Sequence, residues 1–62
     1  MTADERKVLD LLEDKDWHTV DQVAQVLRFK KGVARILLSR LWMRGLAEQA
    51  SDGDQLTFKL VE

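Results

Sequence analysis

Basic side chains that could neutralise phosphate are concentrated in one part of the sequence. Between residues 28 and 47 the chain has no aspartate or glutamate, and its basic residues there are Arg28, Lys30, Lys31, Arg35, Arg40 and Arg44. The planar guanidinium of arginine can bond two acceptors at once, and lysine supplies a compact positive charge. We interpret this cationic segment as a surface for a polyanion, above all nucleic acid. The alternative is an ordinary solvated helix surface.

The residue types needed for catalysis or metal binding are scarce. The chain has one histidine and no cysteine, which removes thiolate nucleophiles, thiolate metal ligands and disulfides. His18 has no metal-binding partner at a recognisable spacing, and the acidic run 13–16 lacks the Asp-x-Asp-x-Asp-Gly pattern of a calcium loop. We therefore expect a protein that is not an enzyme and that needs no metal or cofactor.

The length and the charge distribution of the chain further limit the classes of protein to which it can belong. A chain of 62 residues can form only one small domain, expected over residues 1–62, and apolar packing must supply most of its stability. The net charge is −1, because acidic flanking regions balance the cationic segment. No apolar run approaches the roughly 20 residues of a membrane span, and the N-terminus lacks a leader pattern. A cytoplasmic protein is expected, nucleoid-associated if it is prokaryotic.

Start signals and the spacing of apolar residues predict three helices. The pattern Ser/Thr-x-x-Glu/Gln, in which the first and fourth residues cap the helix reciprocally, occurs from Thr2 to Glu5 and from Thr19 to Gln22. Gly45 is placed to end the last helix in a left-handed conformation. Apolar residues at helical spacing complete the prediction. The helices are expected at about residues 3–14, 20–27 and 31–44.

A C-terminal β-hairpin is predicted after the third helix. Residues 55–61 alternate between apolar and polar side chains, as in a half-buried strand, and residues 46–50 can form its partner. Asp52-Gly53 between the two segments is a strong hairpin signal. Residues 17–19 are aromatic and β-branched, so they could form a very short additional strand.

The register of the hairpin has two solutions from sequence alone. A two-residue loop at Asp52-Gly53 sets Ala47 opposite Phe58. A three-residue loop centred on Gly53 instead pairs Leu46 with Leu60. The sequence leaves both registers open.

Two segments resemble winged helix-turn-helix regulators of the MarR and ArsR kinds. Residues 19–27, Thr-Val-Asp-Gln-Val-Ala-Gln-Val-Leu, look like the second helix of these regulators, and residues 34–46 resemble their recognition helix with its Leu-x-x-Leu-x-x-x-Gly-Leu ending. The resemblance covers nearly the whole chain. It implies an α+β winged helix-turn-helix fold, with three helices and a C-terminal β-hairpin wing. It also implies double-stranded DNA binding by a transcription regulator or a DNA-processing accessory protein.

The same resemblance implies which residues meet DNA. The third helix of these regulators enters the major groove, with its N-terminal half nearest the base edges. Gly32, in the first turn, either permits close approach to DNA or belongs to a frayed helix end. The DNA-binding residues implied by the resemblance are Arg28, Lys30, Lys31, Arg35, Ser39 and Arg40.

Two features depart from the pattern of DNA-binding regulators. The expected wing tip is Asp52-Gly53-Asp54, whose carboxylates would be repelled by phosphate. The predicted core stripe of the third helix is Ala34, Leu38 and Leu41, and Val33, Ile36 and Met43 lie outside it. These three residues form an exposed apolar surface unless the hairpin and first helix cover part of that arc. The alternative function is a winged-helix protein-protein interaction module that uses these residues or the acidic wing. A monomer or a weak homodimer is expected in either case.

Two further readings concern aromatic residues and left-handed DNA. Residues 30–38 are weakly similar to the Lys-Lys-x-x-Asn-Arg-x-x-Tyr helix of Z-DNA-binding domains, but Ala34 and Leu38 replace the asparagine and tyrosine. Z-DNA recognition is therefore not expected. Trp17 and Trp42 are expected to be core or core-edge residues rather than surfaces on which bases stack.

Overall fold

The computed structural model of the chain describes residues 1–61, so Glu62 of the expected domain lies outside the described residues. The α-helices are α1 (Ala3–Leu11), α2 (Val20–Leu27) and α3 (Lys31–Met43), and a 3-10 turn at Leu12–Asp14 follows α1. The strands are β1 (His18–Thr19), β2 (Ala47–Asp52) and β3 (Gln55–Leu60). The predicted α+β arrangement of three helices and a C-terminal hairpin is confirmed. No helix among residues 1–61 has the length and apolar character needed to cross a membrane.

Both predicted capping boxes form. Thr2 Oγ1 accepts a hydrogen bond from Glu5 N at 3.2 Å, and Glu5 Oε1 accepts one from Thr2 N at 3.3 Å. At the start of α2, Thr19 Oγ1 accepts from Gln22 N at 3.1 Å, and Gln22 Oε1 accepts from Thr19 N at 3.4 Å. These bonds satisfy backbone donors that the first turn of each helix leaves unpaired, so each helix begins where the sequence predicts.

Gly45 ends α3 as predicted. Its φ is 78°, in the left-handed region that favours glycine. Gly45 N donates to the carbonyl of Trp42 at 3.0 Å, and Leu46 N donates to the carbonyl of Leu41 at 2.9 Å, which are the paired bonds of a Schellman cap. The cap turns the chain from α3 directly into β2, so the hairpin is anchored to the end of α3.

The hairpin register differs from both solutions derived from the sequence. β3 is the central strand of an antiparallel sheet in the order β1-β3-β2, and Ala47 pairs with Leu60 while Asp52 pairs with Gln55. The central residues of the turn are therefore Gly53-Asp54. Only Gly53 among them has a positive φ, 63°, as in a type II′ turn with glycine first. The sequence-based registers were wrong because they did not place glycine first in a two-residue turn.

The core lies between the three helices and the inner face of the sheet. Leu38 and Leu41 of α3 have no exposed surface, as predicted, and neither does Phe58 of β3. Thr57, expected on the solvent side of β3, is only 8% exposed, because β1 and β2 flank it on both sides. Its hydroxyl donates to the carbonyl of Ala50 at 3.1 Å, which satisfies the buried polar group.

The two tryptophans lie at the surface and not among the buried residues. Trp17 is 45% exposed and Trp42 is 48% exposed, and neither belongs to the buried cluster or to the partly buried residues packed against it, so the expectation of core or core-edge residues was wrong. Lys59 Nζ lies 5.3 Å from the centroid of the Trp17 ring, within the range of a cation–π contact.

A buried carboxylate joins α1 to the end of α3. Glu5 is 2% exposed, and its Oε2 lies 3.7 Å from Arg44 Nη1 with no hydrogen-bond donor among residues 1–61. Hydrogen bonds from the backbone and hydroxyl of Thr2, then the positive charges of Arg44 and Arg40, hold the pKa of Glu5 below its ordinary value of 4.5. Arg44 therefore stabilises the fold, although it belongs to the cationic segment.

We expect Glu5→Gln to remove part of the acid sensitivity of the fold. A carboxyl with a lowered folded-state pKa stabilises the protein above its ordinary pKa, and this contribution disappears as pH falls through the lowered value. The free energy of unfolding of the wild type should thus fall more steeply below about pH 5 than that of Glu5→Gln. Urea titrations across pH measure both, with the exposed Asp10→Asn on the same helix as control. Parallel curves for wild type and Glu5→Gln would contradict the role assigned to Glu5.

Candidate nucleic-acid interface

The residues predicted to bind DNA lie at the end of α2, at the start of α3 and along the outer side of α3. Arg28 ends α2 and Lys30 precedes the first residue of α3. Ser39 is half-buried and the others are exposed. Arg28, Lys30, Arg35 and Arg40 form no salt bridge with any other residue in the range 1–61. Their charges are thus available to an external anion.

Lys31 and Arg35 lie together, because a spacing of four residues places them on one side of a helix. Both line an open cleft of about 230 Å³ between α2, the start of α3 and the hairpin turn. Arg40 follows Arg35 by five residues, which places it about 140° further around α3, outside the cleft. The residues around the cleft are Thr19, Val20, Asp21, Lys31, Arg35, Asp54, Gln55 and Leu56.

Two acidic residues share the cleft with these bases. Asp21 Oδ1 lies 3.2 Å from Lys31 Nζ, with both side chains more than half exposed, so the pair contributes at most about 1 kcal/mol to folding. Asp54 reaches the cleft from the hairpin turn. An acidic wing was predicted from the sequence, but the pairing of Asp21 with Lys31 was not. The sequence shows only that Asp21 lies in the first turn of α2. The helix dipole favours an acidic residue there whether or not a lysine lies nearby.

Arg28 has a backbone conformation that favours glycine. Its φ is 59°, and Phe29 N donates to the carbonyl of Ala24 at 2.9 Å to close the end of α2. The left-handed region costs a non-glycine residue about 1–2 kcal/mol. Arg28 therefore has a strained backbone conformation beside the start of α3. Glycine at position 28 would make the fold more stable.

The apolar residues outside the core stripe of α3 are exposed. Val33 is 41% exposed, Ile36 55% and Met43 77%. Of the two possibilities left open by the sequence, the exposed apolar surface is the one found at these three residues. The outer side of α3 thus combines cationic and apolar side chains.

Gly32 leaves a gap in this surface. Substitution of this residue tests whether the first turn of α3 is a stable helical turn. A Cβ at this position would meet no atom within 4 Å, so we expect Gly32→Ala to raise the free energy of unfolding by about 0.5–1 kcal/mol. Urea denaturation measures the change. Gly53→Ala is the control and should destabilise, because the φ of Gly53 is positive. A destabilised Gly32→Ala would show that this turn is not helical in solution.

Solved structures of winged-helix regulators superpose closely on the chain. The PcaV transcriptional regulator from Streptomyces coelicolor matches with a TM-score of 0.91 and 22% identity, over 100% of this chain and 46% of that one. The C80S mutant of MarR from E. coli matches with a TM-score of 0.86 and 25% identity, over 98% of this chain and 47% of that one. The resemblance to MarR-type winged helix-turn-helix proteins is thereby confirmed for the fold.

A third structure corresponds in length to this chain. It is a HOP2 chain from a study of the DNA recognition and protein interaction domains of that protein, with a TM-score of 0.87 and 17% identity over 95% of this chain and 100% of that one. By contrast, the chain spans slightly less than half the length of PcaV and MarR. The sequence matches no family model and no curated protein.

Proposed function

We propose that the chain binds double-stranded DNA through α3, as a transcription regulator or a DNA-processing accessory protein without enzymatic activity. The observation that carries this proposal is the set of exposed bases at the start and outer side of α3, most of which lack an acidic partner among the described residues. The structural neighbours support it, since PcaV is a transcriptional regulator and the study of BpsR from Bordetella bronchiseptica concerns regulation of its DNA binding.

In the proposed complex, the outer side of α3 enters the major groove. Arg35 is one turn into the helix and exposed, so its guanidinium can reach O6 and N7 of a guanine. Lys30 and Lys31 at the helix start, with Arg28 beside them, neutralise phosphates at the groove edge. Ser39 and Arg40 contact DNA further along α3. This winged-helix unit acts in the cytoplasm as a monomer or weak homodimer.

Fluorescence anisotropy with a labelled duplex tests the proposal. Each phosphate contact contributes about 0.9 to the slope of log affinity against log salt concentration, so four contacts predict a slope near −3.6. The titration is run with a duplex of mixed sequence at several salt concentrations. Absence of binding at about 50 mM salt, where electrostatic affinity is high, would overturn DNA binding as the function.

The alternative, a protein-interaction module with an acidic wing, is favoured by the exposed Val33, Ile36 and Met43 and by Asp54 beside the cleft. Asp54→Lys separates the two functions. If α3 binds DNA, this substitution should tighten duplex binding and steepen its salt dependence, because it replaces a carboxylate near phosphate by a cation. Anisotropy measures the change, and Glu48→Lys on β2 is a control for added charge elsewhere. Duplex affinity that stays negligible in Asp54→Lys would favour the protein-interaction module.

A further inference from the structure

Ile36 is the apolar residue that projects most directly away from the core at the middle of α3. Ala34 and Leu38 are fully buried, and at about 100° per residue Ile36 lies about 160° from each of them. Its exposed fraction is 55%. Ile36 therefore lies at the centre of the outer side of α3. A residue at the edge of the core would be partly exposed for that reason alone, but Ile36 is not at that edge.

The neighbours of Ile36 on the helix surface leave its side chain unobstructed. Gly32, one turn before, has no side chain, and the space above it is empty to 4 Å. Helical side chains lean toward the N-terminus, so the neighbour of Ile36 in that direction is this glycine. Ser39, three residues later, is small, and Arg40, four residues later, is exposed and cationic. Ile36 thus protrudes on a side of α3 that carries both exposed bases and the exposed Val33.

A ligand that fits this surface has negative charges for the basic side chains and a small apolar group that Ile36 can contact. A duplex offers phosphates along both edges of the major groove, and the apolar group on its floor is the C5-methyl of thymine. We infer, resting on the proposed DNA-binding function, that Ile36 packs against a thymine methyl and makes the interface prefer A·T pairs at that position. Val33 is 41% exposed and lies about 60° away on the helix, so it faces a different part of the groove.

Replacing thymine by deoxyuridine removes only this methyl group and so tests the inference. Two labelled duplexes of the same A/T-rich sequence, one with thymine and one with deoxyuridine, are compared by anisotropy. Burial of one methyl changes affinity about fourfold, so the wild type should bind the thymine duplex at least about fourfold more tightly. Ile36→Ala should bind both duplexes equally. The control Val26→Ala, which removes a 60% exposed apolar residue from α2, should keep the wild-type ratio.

A second pair of duplexes carries cytosine or 5-methylcytosine in a G/C-rich sequence, which restores a methyl at the same ring position. The wild type should gain affinity on methylation and Ile36→Ala should not. Equal affinity of the wild type for thymine and deoxyuridine duplexes, or a ratio that persists in Ile36→Ala, would overturn the inference while leaving DNA binding intact. Failure to bind any duplex would overturn the proposed function as well.

Discussion

Leu38→Ala is expected to leave little folded protein at room temperature. Leu38 has no exposed surface and lies in the single core of the domain, where truncation of a leucine costs about 2–5 kcal/mol. A chain of 62 residues without cysteine has a total stability of only a few kcal/mol, about 3–5 for a core of this size. Truncation of one core residue therefore removes most of the free energy of unfolding.

Thermal unfolding followed by circular dichroism measures this effect. Leu41→Ala, at an equally buried position, should behave in the same way. Val26→Ala on the exposed side of α2 is the control, with an expected change within about 0.5 kcal/mol. A cooperative melt at the wild-type temperature for Leu38→Ala would show that α3 is packed with a different face toward the core.

Loss of Lys31 and Arg35 together is expected to reduce DNA binding most strongly. Lys31→Ala should weaken binding to all sequences and flatten the salt slope by about 0.9. Arg35→Ala should cost about 1–3 kcal/mol on a preferred site and much less on a scrambled duplex, if Arg35 reads a guanine. Anisotropy on both duplexes across salt separates the two effects. Lys7→Ala, which removes an exposed lysine from α1, is the matched control.

Asp21 adds an internal check on the role of Lys31. Its carboxylate lies 3.2 Å from Lys31 Nζ and so competes with phosphate for the same ammonium group. Asp21→Asn should tighten duplex binding in the wild type and have a smaller effect when Lys31 is already alanine, a coupling that a double-mutant cycle detects. Independent effects of the two substitutions would place the phosphate contact elsewhere.

Features governed by neighbouring residues were predictable from the sequence. The capping boxes at Thr2 and Thr19 and the left-handed cap at Gly45 use bonds that span only a few residues, and each helix start and the end of α3 followed from them. The buried Leu38 and Leu41 followed from helical spacing. Local chemistry alone was sufficient for these elements.

Features governed by contacts between elements were not predictable. Gly53-Asp54, with glycine first, and Asp52-Gly53, with glycine second, are both acceptable two-residue turns, and the pairing of β2 with β3 selects the first of them. The Asp21–Lys31 pair depends on the packing of α2 against α3. Of the candidate site, the sequence therefore predicted the bases on α3 but not the acids that face them.

The binding of DNA on the outer side of α3 is tested most directly by an NMR titration. Backbone amide signals of the full chain are followed as an unlabelled duplex is added at low salt. We expect the largest shifts to map to Arg28 and to residues 30–40, with α1 little affected. Shifts confined to the β2–β3 turn and the surface around Trp17, with the amides of α3 unchanged at saturation, would contradict recognition of DNA by α3.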